Sequence, residues 1–218
     1  MQKKGFIFDL DGVIVDTAKY HFLAWKKLAK SLDIDFTEEE NEQLKGVSRV
    51  RSLEKILSWG NKTISEEKFT ELMAKKNDDY LSHISKMDEN EILPDVPRIL
   101  NLLKENKQLI SLGSASKNAR TILERVHLKE NFNAIVDGND VSKAKPDPEV
   151  FLIAAELLHT KPEDCIVFED SVAGVEAANI VNMISIGIGS EEVLAHADYV
   201  FKDFTEISDT FIKSLIKN

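Results

Sequence analysis

The run Phe6-Ile7-Phe8-Asp9-Leu10-Asp11-Gly12-Val13 decides how this chain is read. Three bulky, β-favouring residues make a buried strand, which stops on two carboxylates one residue apart, where a functional loop begins. From Thr17 the period changes. Ala18, Phe22, Trp25, Ala29 and Leu32 recur at three- and four-residue spacing, the apolar stripe of an amphipathic helix. Further helices are expected over residues 51–59, stopped by Gly60, and over 66–84, where Ser65 suits the N-cap and Glu66 and Glu67 suit the first turn. Nothing between residues 17 and 87 reads as a strand.

Beyond Pro94 the pattern alternates. Helices are expected over 95–106, 118–127, 148–159 and 173–181, with strands over 109–113, 134–136, 165–168, 183–188 and 199–201, then a last helix. Such alternation predicts an α/β fold, a Rossmann-like parallel sheet with helices on both faces. The helical block interrupts it directly after the first strand. The expected organisation is a discontinuous core, residues 1–15 and 88–218, with an inserted all-helical cap domain over 16–87.

Composition narrows the class. Of 218 residues 43% are apolar and 30% charged, enough for a real core and incompatible with disorder, collagen or coiled coil as a global reading. Asp and Glu number 38 against 28 Lys and Arg, a net charge of −10 that repels a phosphate backbone, so no nucleic-acid partner is expected. A single cysteine, Cys165, cannot form an intramolecular disulfide or a multi-thiolate metal site. No apolar run approaches the roughly 18 residues of a membrane span, and the few residues before the first strand are too short for a signal peptide. A cytoplasmic protein without a membrane partner, acting as a monomer, is expected.

In a parallel sheet ligands bind beyond the carboxyl ends of the strands. Four polar sets fall there: Asp9 and Asp11; Ser114-Ala115-Ser116-Lys117-Asn118; Lys145 with Pro146 and Pro148; and Glu169-Asp170-Ser171. Four carboxylates in one crevice need a cation or must take up protons. With no His or Cys cluster, oxygen ligands of this kind suit Mg²⁺. Lys145 and the Ser114 hydroxyl suit a phosphoryl group, and a carboxylate can attack phosphorus to give an aspartyl phosphate. Singly each set is ambiguous. Asp-x-Asp-Gly also makes turns and calcium loops, Lys-Pro-x-Pro starts helices, and the serine-rich segments also cap them. Four in order, each at a strand end, point to one site.

Together Phe8-Asp9-Leu10-Asp11-Gly12-Val13, Ser114, Lys145 and Glu169-Asp170 resemble the four motifs of the haloacid dehalogenase-like superfamily of phosphoryl-transfer enzymes, and the likeness spans the chain. The insert is similar to the cap of its small-cap subclass. Residues 16–22, 41–49 and 114–118 are similar to its hexose-phosphate mutase branch. That resemblance implies interconversion of β-D-glucose 1-phosphate and D-glucose 6-phosphate through a phosphorylated Asp9 and β-glucose 1,6-bisphosphate. It makes Asp9 the nucleophile and Asp11 the general acid/base. Mg²⁺ would be held by Asp9, the Asp11 carbonyl, Glu169 and Asp170, with Ser114 and Lys145 gripping the transferring phosphoryl group.

In the cap the same resemblance gives Arg49 the non-transferring phosphate, with Lys45, Gly46, Val47 and Ser52 as the surrounding specificity loop. Ala115 belongs with Ser116, Lys117 and Asn118, which approach that phosphate from the core. His21 and Lys76 would position the acid/base, and Thr17 would sit at the hinge. Read without the family, Lys45 and Arg49 are solvated charges around a helix start capped by Ser48, and His21 decorates a helix face. The chain departs from the family at Asn182, where a glycine is usual and where asparagine tolerates a left-handed helix end. Val50 and Arg51 stand where a more polar or acidic pair is expected, which bears on substrate choice. Two rivals share these residues: a Mg²⁺-dependent sugar-phosphate phosphatase, and a non-catalytic phosphosugar-binding protein.

Overall fold

A computed structural model describes residues 3–45 and 47–217. The first strand, β1 (Gly5–Phe8), leads into four helices: α1 (Ala18–Lys30), α2 (Glu38–Glu42), α3 (Arg49–Trp59) and α4 (Glu66–Ile84). After them come α5 (Val96–Glu105), β2 (Leu109–Gly113), α6 (Ala119–Arg125), β3 (Ala134–Val136), α7 (Glu149–Leu157) and β4 (Cys165–Glu169). The chain closes with α8 (Val172–Ile180), β5 (Ile184–Ile188), α9 (Glu191–Leu194), β6 (Tyr199–Phe201) and α10 (Asp209–Lys217). All strands pair in parallel in the order β3-β2-β1-β4-β5-β6.

Alternation along β1 divides the core. Phe6 and Phe8 face one side, where Phe8 stacks on Phe168 at 4.6 Å beside Phe204, under α5, α6 and α10. Ile7 faces the other, with Val136, Phe151 and Val167 under α7 and α8. Every residue of β1 is buried, as a central strand covered on both faces requires. The helical insert has its own cluster, built on Trp25, Leu28, Phe36, Leu53, Ile56 and Leu72. Ala24, Tyr80 and Ile84 join the sheet's cluster instead and seat the insert on it.

Local chemistry sets the helix ends. The Ser65 side chain accepts from Lys68 N at the start of α4. Ser48 does the same from Arg51 N, so α3 begins at Arg49, two residues earlier than its apolar pattern suggests. Sequence periodicity misses α2, whose five residues are all polar. It rests on a capping box in which Thr37 and Glu40 satisfy each other's backbone N–H. It also misses α9, a single turn. Asn182 follows α8 with φ +56°, and Met183 N closes back onto Ala178 O at 3.1 Å, the left-handed ending expected of it.

Candidate active site

The carboxyl ends of β1, β2 and β4 converge under the helical insert, around a cavity of about 680 Å³ lined from both sides. Asp9, first residue after β1, is fixed through both oxygens: Oδ1 accepts from Lys145 Nζ at 2.6 Å and Oδ2 from Asp11 N at 3.0 Å. Lys145 is buried and also donates to Glu169 Oε1 at 2.5 Å and Gly113 O at 3.1 Å, with its ammonium over the Phe151 ring. Burial works against charge on Lys145, but Asp9 and Glu169 outweigh it and hold the ammonium protonated. Gly12 makes the turn possible. Its φ is +77°, and a Cβ there would lie 2.2 Å from Asp170 Oδ2.

The carboxylates push one another toward neutrality. Burial, with Glu169 and Asp11 adding to it, raises Asp9 to about 7 despite Lys145. Burial and the Glu169 and Asp9 charges raise Asp170 well above the usual carboxylate range. Burial raises Asp11 as well, against the Thr17 hydroxyl that donates to its Oδ1. Such crowding fits a hard cation that keeps several waters and takes few carboxylates. Asp9, Asp11 and Asp170 all line the cavity, a set of oxygen donors that suits Mg²⁺. Among the described residues no three His, Cys, Asp or Glu side chains form a ready metal cage. Glu169 does not line the cavity. Its Oε2 accepts from Ser171 N and Oγ, while Oε1 accepts from Lys145 and keeps a lone pair to offer an ion.

Ser114, 1% exposed, follows β2 directly with its Oγ accepting from Ser116 N at 3.1 Å, which leaves its hydroxyl proton to donate into the cavity. Ala115, Ser116, Lys117 and Asn118 continue the core wall. From the insert come Lys45, Val47, Arg49, Ser52, His21 and Lys76. Lys45 Nζ lies 3.7 Å from Asp170 and 2.8 Å from Glu42. Gly46 lies outside the described residues. Arg49, first residue of α3, makes no ion pair with any described residue, and its partial burial lowers its pKa. Ser52 donates to Ser48 O at 3.0 Å, holding that turn. Arg51 pairs with Glu54 at 2.7 Å, which offsets part of its charge at the rim of the cavity it helps to line.

Two residues sit behind the wall. Thr17, fully buried at the N-cap of α1, touches Asp11 and not the cavity. Glu169 is the other. His21 presents Nε2 to Asp11 Oδ1 at 3.9 Å and Nδ1 to Lys76 Nζ at 2.9 Å. Burial, then Lys76 and Arg49, depress His21 and keep it neutral. Lys76 is 2% exposed, its ammonium 4.7 Å over Trp25 and 4.6 Å over Tyr80, and burial with Arg49 lowers it to about 7. Trp25 and Tyr80 also line the cavity, and sequence reasoning misses both as site residues, because each occupies a helical position indistinguishable from core.

Comparison with known proteins follows the same lines. Residues 3–182 match the haloacid dehalogenase-like hydrolase family. The chain is 44% identical over 210 residues to the β-phosphoglucomutase of Bacillus subtilis, covering 94% of this chain and 92% of that protein. It is 32% identical over 174 residues to a phosphorylated carbohydrates phosphatase of Thermotoga maritima, covering 79% and 78%. The crystal structure of β-phosphoglucomutase from Clostridium difficile superposes with a TM-score of 0.94 at 41% identity, over 99% of this chain and 98% of that one.

Proposed function

Because the chain belongs to the haloacid dehalogenase-like hydrolase family, we propose that it runs one phosphoryl transfer twice, in opposite senses, within a single cavity. Its activity is that of a β-phosphoglucomutase, an isomerase acting on a phosphorylated sugar. The carrying observation is that one cavity holds the Asp9–Lys145 pair with Ser114 and also Arg49 with Lys117 and Asn118, hence two phosphate sites. A planar guanidinium with no carboxylate partner is ready to take a phosphate through two parallel hydrogen bonds. Residues 1–15 and 88–218 act as the catalytic core and 16–87 as its cap. The cytoplasm is the proposed setting.

An Asp9 oxygen attacks phosphorus as the phosphorus–oxygen bond to the sugar breaks, and the phosphoenzyme is the product. Asp11, held by the Thr17 hydroxyl, gives the leaving sugar oxygen its proton, and takes one from the opposite hydroxyl when transfer reverses. Burial raises its carboxyl above the usual carboxylate value, which favours the protonated form that this step draws on. Lys145 and Ser114 hold oxygens of the moving group, while Arg49, Lys117 and Asn118 hold the phosphate that stays. Asp9, Asp170 and the Asp11 carbonyl would hold Mg²⁺, which would supply positive charge against the reacting groups. Between the two transfers β-glucose 1,6-bisphosphate must turn end for end. The test supplies β-glucose 1-phosphate, Mg²⁺ and a trace of glucose 1,6-bisphosphate, and follows glucose 6-phosphate and inorganic phosphate in one tube. Glucose 6-phosphate with little free phosphate is expected. Free phosphate as the main product would make the enzyme a phosphatase and remove the role given to Arg49.

A further inference from the structure

The loop after β2, residues 114–118, serves both phosphate sites, and its supports differ in origin. From the core, Gly138 N donates to Ser116 O at 3.2 Å and Asn139 Nδ2 to Lys117 O at 3.0 Å. The approach is close enough that a Cβ on Gly138 would lie 2.3 Å from Ala115 O. Within the loop, Ser116 Oγ accepts from Asn118 N at 3.3 Å. These contacts join core to core and do not depend on the cap.

Among the described residues, one hydrogen bond reaches this loop from the cap. Asn118 Nδ2 donates to Asn77 Oδ1 at 3.2 Å, linking α4 to the start of α6. His21 and Lys45 also approach the core from the insert, but they face the carboxylates Asp11 and Asp170. An amide nitrogen carries two N–H groups, so with one engaged by Asn77 the direction of the other is set. We propose that Asn77 is a positioning residue that latches the cap to the phosphate loop, aims the free Asn118 N–H at the non-transferring phosphate, and keeps water from the phosphoenzyme. The proposal rests on the two-phosphate reading above.

The experiment uses Asn77→Ala, half-buried in α4, where alanine is the better helix former and folding is not at risk. Glucose 6-phosphate and inorganic phosphate are measured together, as for the wild type. Loss of one neutral hydrogen bond predicts a rise of about fivefold in the ratio of phosphate released to sugar isomerised. A merely structural defect lowers both products together. Adding Asn77→Ala to Asn118→Ala should move the ratio by less than about twofold, since the bond is already absent. An unchanged ratio in the single variant, or an equal rise in the Asn118→Ala background, overturns the latch. A wild type that makes no glucose 6-phosphate overturns the mutase reading instead.

Discussion

Replacing Lys76 by methionine should make this protein more stable while impairing it as an enzyme. The ammonium is 2% exposed and has no carboxylate within ion-pair distance among the described residues, and Arg49 adds repulsion. Its fall from 10.5 to about 7 corresponds to about 5 kcal/mol, at 1.36 kcal/mol per pH unit. Methionine gives up the 2.9 Å hydrogen bond to His21 and leaves that ring nitrogen unpaired, about 2 kcal/mol, so about 3 kcal/mol of net stabilisation is expected. The sign follows from linkage. The unfolded chain takes up the proton near pH 10.5 and the folded chain only near 7, so stability falls as pH drops between those values and is level below. Methionine has no such proton. Denaturant unfolding of both proteins from pH 6 to 10 should show the variant ahead by about 3 kcal/mol at pH 7, the gap closing as pH rises. A chain of this size would gain about 6–12 °C in midpoint. A variant no more stable at pH 7, or a gap that does not change with pH, would refute the reasoning.

Other outcomes follow from the same geometry. Asp9→Asn should abolish phosphoenzyme formation, read by labelled phosphate on the protein, because an amide is a poor nucleophile. Lys145→Met leaves Asp9 and Glu169 buried without their shared counter-charge and should destabilise the fold by about 3–5 kcal/mol in denaturant unfolding at pH 8. Gly12→Ala places a methyl against Asp170 at a position of positive φ, and should lose turnover with Mg²⁺ at any concentration. Arg49→Ala should impair transfer between sugar phosphates more than hydrolysis of the phosphoenzyme. Equal losses in the two assays would count against two phosphate sites.

What could be read from residues alone tracks the range of the forces involved. The strands were legible because β1 and its neighbours are short apolar runs ending on polar loops, and α4 because Ser65 and its apolar spacing agree on where it starts. The polar turn α2 escaped because nothing about Glu38–Glu42 is periodic and only the Thr37–Glu40 reciprocity holds it. In the site, Asp9, Asp11, Ser114 and Lys145 announce themselves at strand ends. Trp25, Tyr80 and Asn77 do not, since their part depends on which helix face meets the core, a matter of tertiary contact. Nor could spacing say that Glu169 would turn away from the cavity toward Lys145 and Ser171.

The strand at the middle of the sheet is also the first of the six in chain order. Its partners β2 and β4 leave the ribosome about a hundred and about a hundred and sixty residues later, and the helical insert makes up most of the chain between β1 and β2. With a hydrophobic cluster of its own, that insert can condense while Phe6, Ile7 and Phe8 still wait for neighbours. The reactive end of the protein is thus completed late in synthesis. A nascent chain truncated before Cys165 would hold Asp9 and the helical insert but lack strand β4 and Asp170, and should be silent as a catalyst.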